Sequence, residues 1–164
     1  MLTDWFDPGD ADPELAAELR RQDETCDAVL LGRQTFEDFR SYWPQQTDDT
    51  TGVSDQLNRV TKYVVSSTLS EPGWQNSTVL RGDPVAQLKR LKSLPGRDVV
   101  LTGSIRLAHL AVAENLVDEY RMFVYPAVQG RGRRYFPDGF EARLRLVASK
   151  RFGSGVCYLA FVPA

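Results

Sequence analysis

The sequence predicts an α/β domain: a three-layer α/β/α sandwich on a mostly parallel sheet, finished by an antiparallel C-terminal hairpin. Short apolar runs at 28–31, 62–67 and 98–102 alternate with segments of helical period, the pattern of strand–helix units. Two of those runs meet a glycine and then a helical segment, at Gly32 and Gly103. Near the C-terminus the pattern changes to strands of alternating hydrophobicity joined through Gly153-Ser154-Gly155, a hairpin signal.

Residues 1–12 are rich in Asp, Gly and Pro and read as a loop. Asp12-Pro13 then sets a helix start, with an N-cap carboxylate and proline at the first helical position. That helix runs to about Thr25 and carries Leu15, Ala16 and Leu19 on one face. Ala28, Val29, Leu30 and Leu31 form a buried strand, Gly32 a turn, and 33–42 a helix. Phe36, Phe39, Arg40 and Trp43 share one side of it. Core packing accounts for these aromatics; the alternative is that Phe39 or Trp43 lines a pocket for a flat ring.

Residues 45–53 read as a polar loop, and Ser54 caps a short helix through Val60. The strand 62–67 ends in hydroxyls, Ser66 and Ser67, and 78–80 is a short strand. Asp83-Pro84 repeats the cap-plus-proline start, and Val85, Leu88, Leu91 and Leu94 form a stripe that Pro95-Gly96 ends. Strand 98–102 leads through Gly103-Ser104 to a helix reaching about Asn115. His109 lies in that helix with no catalytic partner nearby and reads as a structural histidine. Residues 119–128 form a strand, followed by an arginine-rich loop at 129–134 that is either a solvated turn or a contact for an anionic group. Strands at 145–151 and 156–162 close the chain.

With 164 residues, the chain suits a single domain. A net charge of −2 argues against a general nucleic-acid binder. No apolar run is long enough for a bilayer, and the acidic start lacks a signal-peptide layout, so cytoplasmic residence is expected. Cys26 and Cys157 stand far apart, and His109 is the only histidine, so no metal site is expected. Both faces of the last strand are apolar, which leads us to expect a homodimer.

A strand that ends in glycine and feeds a helix N-terminus presents free N–H groups and a favourable dipole to an anion. Arg33 adds a cation suited to phosphate, and Thr35 a hydroxyl. On open α/β sheets ligands bind beyond the C-terminal strand ends. Three such ends carry phosphate-friendly groups: Gly32, Arg33, Gln34 and Thr35; Ser66, Ser67 and Thr68; and Thr102, Gly103, Ser104, Ile105 and Arg106. If those strands are parallel neighbours, the groups converge on one phosphorylated cofactor. An extra terminal phosphate would favour NADPH over NADH.

The runs LLGRQTFEDFRSYWP, YVVSSTL and DVVLTGSIRLAHLAVAENLVDEYRMFVYPAVQGRGRRYF, with the closing hairpin, resemble the dihydrofolate reductase-like superfamily. The similarity is to the branch containing the reductase domain of the bacterial riboflavin-biosynthesis deaminase–reductase, over about residues 27–162. It implies an NADPH-dependent reductase of a small heterocycle, such as 5-amino-6-(5-phosphoribosylamino)uracil, or a nucleotide-binding or structural module without turnover. It places cofactor phosphates on Gly32, Arg33 and Thr35, and the adenosine-side phosphate on Ser66 and Ser67.

The sequence departs from that family at three places. Its paired glycines read Gly103-Ser104 here. Its first strand, expected before Trp5, has no counterpart, and its absence would leave strand edges unpaired. No acid aligns with the family's proton donor; Glu14 and Glu18 are the nearest candidates, and no catalytic residue is assigned.

Overall fold

The structure is a computed structural model that describes residues 12–49 and 51–164. The expected N-terminal loop over residues 1–11, and any strand before residue 5, lie outside the described residues.

Helix α1 (Pro13–Thr25) starts as the Asp-Pro pair requires: Asp12 Oδ1 accepts from the N–H groups of Glu14 and Leu15 at 2.9 and 3.2 Å. Strand β1 (Cys26–Gly32) follows, then α2 (Arg33–Tyr42), a 3₁₀ turn (Trp43–Gln45) and α3 (Val53–Arg59). Next come β2 (Thr61–Val65), β3 (Ser77–Leu80) and α4 (Pro84–Lys92). The Asp83 carboxylate caps α4 on Val85 and Ala86, as its Asp-Pro start predicts. Strand β4 (Asp98–Leu101), α5 (Ile105–Ala113), β5 (Tyr120–Val124), β6 (Leu144–Arg151) and β7 (Cys157–Pro163) complete the chain.

The first four strands make a parallel sheet in the order β3-β2-β1-β4. Strand β1 is central and pairs directly with both β2 and β4, so the three phosphate-friendly ends are neighbours, as the argument for one site requires. The last three strands form a separate antiparallel sheet, β5-β7-β6. The pairing breaks between β4 and β5. Their edges carry the half-exposed Val99 and Val124. The Arg121 guanidinium of β5 reaches Asp98 of β4 at 2.8 Å, and Thr25 donates to the same carboxylate. Strand β5 is shorter than the expected 119–128, because Pro126 cannot donate to a ladder.

Helices cover both faces of the parallel sheet. One face packs Val29, Leu31, Phe36, Leu57, Val60, Val64, Leu69 and Trp74 into one cluster. The other packs Leu30 against Leu88, Leu91, Leu107 and Ala111. Alternate residues of β1 therefore enter opposite layers, and the strand reads as a continuous apolar run. Lys62 is completely buried beneath the first cluster. Its ammonium donates to the carbonyls of Leu57 and Val60 at the end of α3 and lies 4.6 Å from the centroid of Trp74.

Candidate functional site

Gly32, Val65 and Leu101 end three adjacent parallel strands, and the groups of interest follow each end. At the first end, Gly32 is extended and serves as the N-cap of α2 without a capping side chain. The first-turn N–H groups of α2 thus lack intrahelical partners. Arg33 Nη1 lies 2.7 Å from Glu37 Oε2, an i,i+4 pair on the same helix. The guanidinium is therefore held in place but shared with a carboxylate, a feature the sequence argument missed.

At the β4–α5 turn, Gly103 and Ser104 both adopt left-handed backbone, with φ of 59° and 49°. A serine there costs about 1–2 kcal/mol in backbone energy, which its contacts must offset. Ser104 Oγ accepts from Gly32 N–H at 2.8 Å and lies 2.9 Å from Thr35 Oγ1; Thr35 Oγ1 accepts from Ser104 N–H at 3.1 Å. Gly103 fits beneath this network because it lacks a β-carbon; one would stand 2.9 Å from Thr35 Cγ2. The structure thus joins Gly32, Thr35, Gly103 and Ser104 in one cluster. Thr102, Ile105 and Arg106 flank that turn and are exposed.

The β2 end builds the other half. Ser66 Oγ accepts from the N–H groups of Thr68 and Leu69 at 3.2 and 3.0 Å, closing a tight turn. Arg81, just past β3, donates to Leu69 O at 2.7 Å and more weakly to Ser67 O and Ser70 O at 3.4 Å. Its fork therefore holds the turn's backbone. Arg33, Val65, Ser66, Ser67, Thr68, Gly82 and Pro84 line a cleft of about 430 Å³. Arg33 and the hydroxyls of Ser67 and Thr68 supply donors for an anion, and Val65 and Pro84 supply apolar walls. Thr68 stands in the cleft beside Ser66 and Ser67, as its place at that strand end suggested, whereas Gly82, Pro84 and the bracing Arg81 are residues that the sequence argument missed; Asp83-Pro84 was read only as a helix start.

Phe39 and Trp43 pack partly buried against the first core cluster and do not line the cleft. His109 Nε2 lies 3.0 Å from the carbonyl of Arg134 and ties α5 to the arginine-rich loop, a structural role. Glu18 is bound by Arg21 at 2.6 Å and by Gln22. The bond to Arg21 holds its carboxyl below the usual range, although burial opposes the effect, so Glu18 is ionised at neutral pH and a poor proton donor. Glu14 is exposed in the first turn of α1. Among the described residues no helix is long and apolar enough to cross a membrane.

A family described as the RibD C-terminal domain matches residues 7–158. The chain is 30% identical over 139 residues to the uncharacterized protein YyaP of Bacillus subtilis, covering 82% of this chain and 73% of that one. It is 28% identical over 134 residues to the uncharacterized protein YwjB of the same organism, covering 81% and 72%.

Among solved structures, a putative riboflavin biosynthesis protein from a Shewanella species superposes with a TM-score of 0.73 at 18% identity, covering 99% of this chain and 88% of that one. A pyrimidine reductase-like protein from Corynebacterium diphtheriae gives 0.61 at 14% identity, covering 90% and 80%. These structural likenesses establish a shared α/β fold. The sequence match, which spans most of the chain, establishes more: the chain belongs to the RibD C-terminal domain family, whose fold is that of the dihydrofolate reductase-like reductases.

Proposed function

We propose that this chain is an NADPH-dependent reductase of a small heterocyclic substrate, with an aminopyrimidine such as 5-amino-6-(5-phosphoribosylamino)uracil as the family-based choice. One observation carries the cofactor assignment: Arg33, Ser67 and Thr68 converge on a cleft beyond the C-terminal ends of parallel strands. Membership of a reductase-like family and the pyrimidine reductase-like neighbour support the reaction class.

The residues present fit a dinucleotide carrying an extra phosphate. Arg33 supplies a bidentate cation, Ser67 and Thr68 supply hydroxyl donors, and the first turn of α2 supplies free amides. Val65 and Pro84 give the sugar and base an apolar surface. When bound, the dinucleotide supplies a hydride, and the protein's part is to align donor and acceptor and to exclude water.

The test is a fluorescence titration with NADPH and NADH on wild type and Arg33→Ala. Wild type binds NADPH more tightly than NADH, and Arg33→Ala weakens NADPH by about tenfold or more while barely changing NADH. Equal affinity of wild type for both, or an unchanged NADPH affinity in the variant, refutes the phosphate assignment.

A second reading is a dinucleotide-binding module without turnover. It is favoured by the ion-paired state of Glu18 and by a cleft lining that includes no carboxylate. NADPH binding without NADPH oxidation across a panel of aminopyrimidines, pterins and related heterocycles would select it.

A further inference from the structure

We propose that Ser104 and Thr35 form a hydroxyl strap that locks the N-terminal ends of α2 and α5 together, and that Ser104 is a positioning residue for dinucleotide binding. This rests on the reading of the neighbouring cleft as a dinucleotide site.

Ser104 occupies left-handed backbone that favours glycine, and it is the N-cap of α5. A serine at an N-cap ordinarily turns its hydroxyl onto its own helix. Ser104 makes no such bond; its Oγ instead crosses to the end of β1 and accepts from Gly32 N–H at 2.8 Å. Thr35 answers from the first turn of α2 by accepting from Ser104 N–H at 3.1 Å, and the two hydroxyl oxygens lie 2.9 Å apart. Each turn therefore satisfies a backbone amide of the other through a side chain. Residues 69 positions apart in sequence are thereby fixed to one another, one in the first turn of α2, whose Arg33 lines the cleft, and one at the start of α5.

Counting protons gives the strap its chemistry. Two hydroxyls carry two protons, and one lies between the two oxygens. Whichever oxygen donates it, the other proton has no partner in the network. The strap thus leaves one hydroxyl donor for a ligand acceptor such as a phosphate oxygen. It also withdraws Gly32 N–H and Ser104 N–H from ligand binding. On this side of the site an anion is left to Arg33, to the free amides of α2 and to that one hydroxyl, in addition to the Ser67 and Thr68 hydroxyls across the cleft.

The test uses the whole chain and five variants: Thr35→Val, Thr35→Ser, Ser104→Ala, Ser104→Gly and the double variant Thr35→Val/Ser104→Ala. Two readouts are taken, NADPH affinity by nicotinamide fluorescence and amide hydrogen exchange at Gly32 and Ser104. Thr35→Val, Ser104→Ala and Ser104→Gly each weaken NADPH about tenfold, and Thr35→Ser restores wild-type affinity. The double variant is no more than about twofold weaker than the worse of its parents, because the two groups act as a unit. Without cofactor, Ser104→Ala speeds exchange at Gly32, and Thr35→Val speeds it at Ser104.

Slow exchange in wild type that neither variant changes overturns the strap. So do losses that multiply in the double variant, or NADPH affinity that both single variants retain. Wild type that binds neither NADPH nor NADH, while the exchange pattern is as expected, instead overturns the dinucleotide reading, and with it the positioning role assigned to Ser104.

Discussion

The two sheets of this protein solve burial differently. In the parallel sheet, Ala28, Val29, Leu30 and Leu31 are all buried, because helices cover both faces. In the antiparallel sheet, β6 is almost wholly exposed along its length, with Leu146 half-exposed, and burial centres on Phe152, Val156, Tyr158 and Ala160. The candidate site stands on the first sheet. A cleft whose donors must stay fixed within a fraction of an ångström is built on strands whose side chains are held on both faces.

Several measurements break or sharpen this contrast. The largest effect belongs to Phe36→Ala. Phe36 is fully buried and packs 5.9 Å from Trp74, so its loss should cost about 3–5 kcal/mol in denaturant unfolding. A loss below 1 kcal/mol would mean that the parallel sheet does not depend on its covered face.

The next effect comes from Lys62. Burial lowers its ammonium from the ordinary lysine value of 10.5 to about 8. The folded chain then binds this proton more weakly than the unfolded chain does. Its charge is therefore a cost that is complete below pH 8 and is relieved as pH rises from about 8 towards 10.5, by up to about 3 kcal/mol. Unfolding at pH 7.5 and at 9.5, in wild type and Lys62→Met, should show wild type gaining stability over the variant at the higher pH. A parallel response of the two chains would remove the argument.

Asp12 tests the connection between the sheets. It caps α1 with one carboxylate oxygen and accepts from Ser154 N–H at 2.7 Å with the other, fastening that helix to the β6–β7 turn. Asp12→Ala should lower Tm by less than Phe36→Ala does, while hydrogen exchange quickens at Ser154 and in the first turn of α1. Exchange quickening in the helix alone would leave it capped by Asp12 but not fastened to the turn. The smallest effect is expected on the outer strand: Leu146→Ala should change stability by less than about 1 kcal/mol, since the residue is already half in water.

The architecture was legible because its signals are local. The Asp-Pro starts of α1 and α4, the continuous apolar run of β1, and Gly153-Ser154-Gly155 each fix an element through a neighbouring residue's backbone chemistry. The adjacency of the strand ends at Gly32, Val65 and Leu101 was legible too, once three parallel neighbours were assumed. The hydrogen-bond partners within the site were not. Glu37 sits one helical turn from Arg33, and its pairing is a matter of rotamer choice. Arg81 reaches back across a loop whose path no local pattern encodes. Phe39 and Trp43 show the limit of periodicity, which places aromatics on a helix face but does not say whether that face meets a core or a ligand.

The bond between Thr35 and Ser104 also bears on descent. Two turns that satisfy each other's backbone cannot drift independently. A lineage that restored glycine at position 104 would leave Gly32 N–H seeking another acceptor and would release position 35 from one of its two duties. A lineage that keeps serine at 104 must retain a hydroxyl at 35. Across the relatives of this chain, the two positions should covary as a pair.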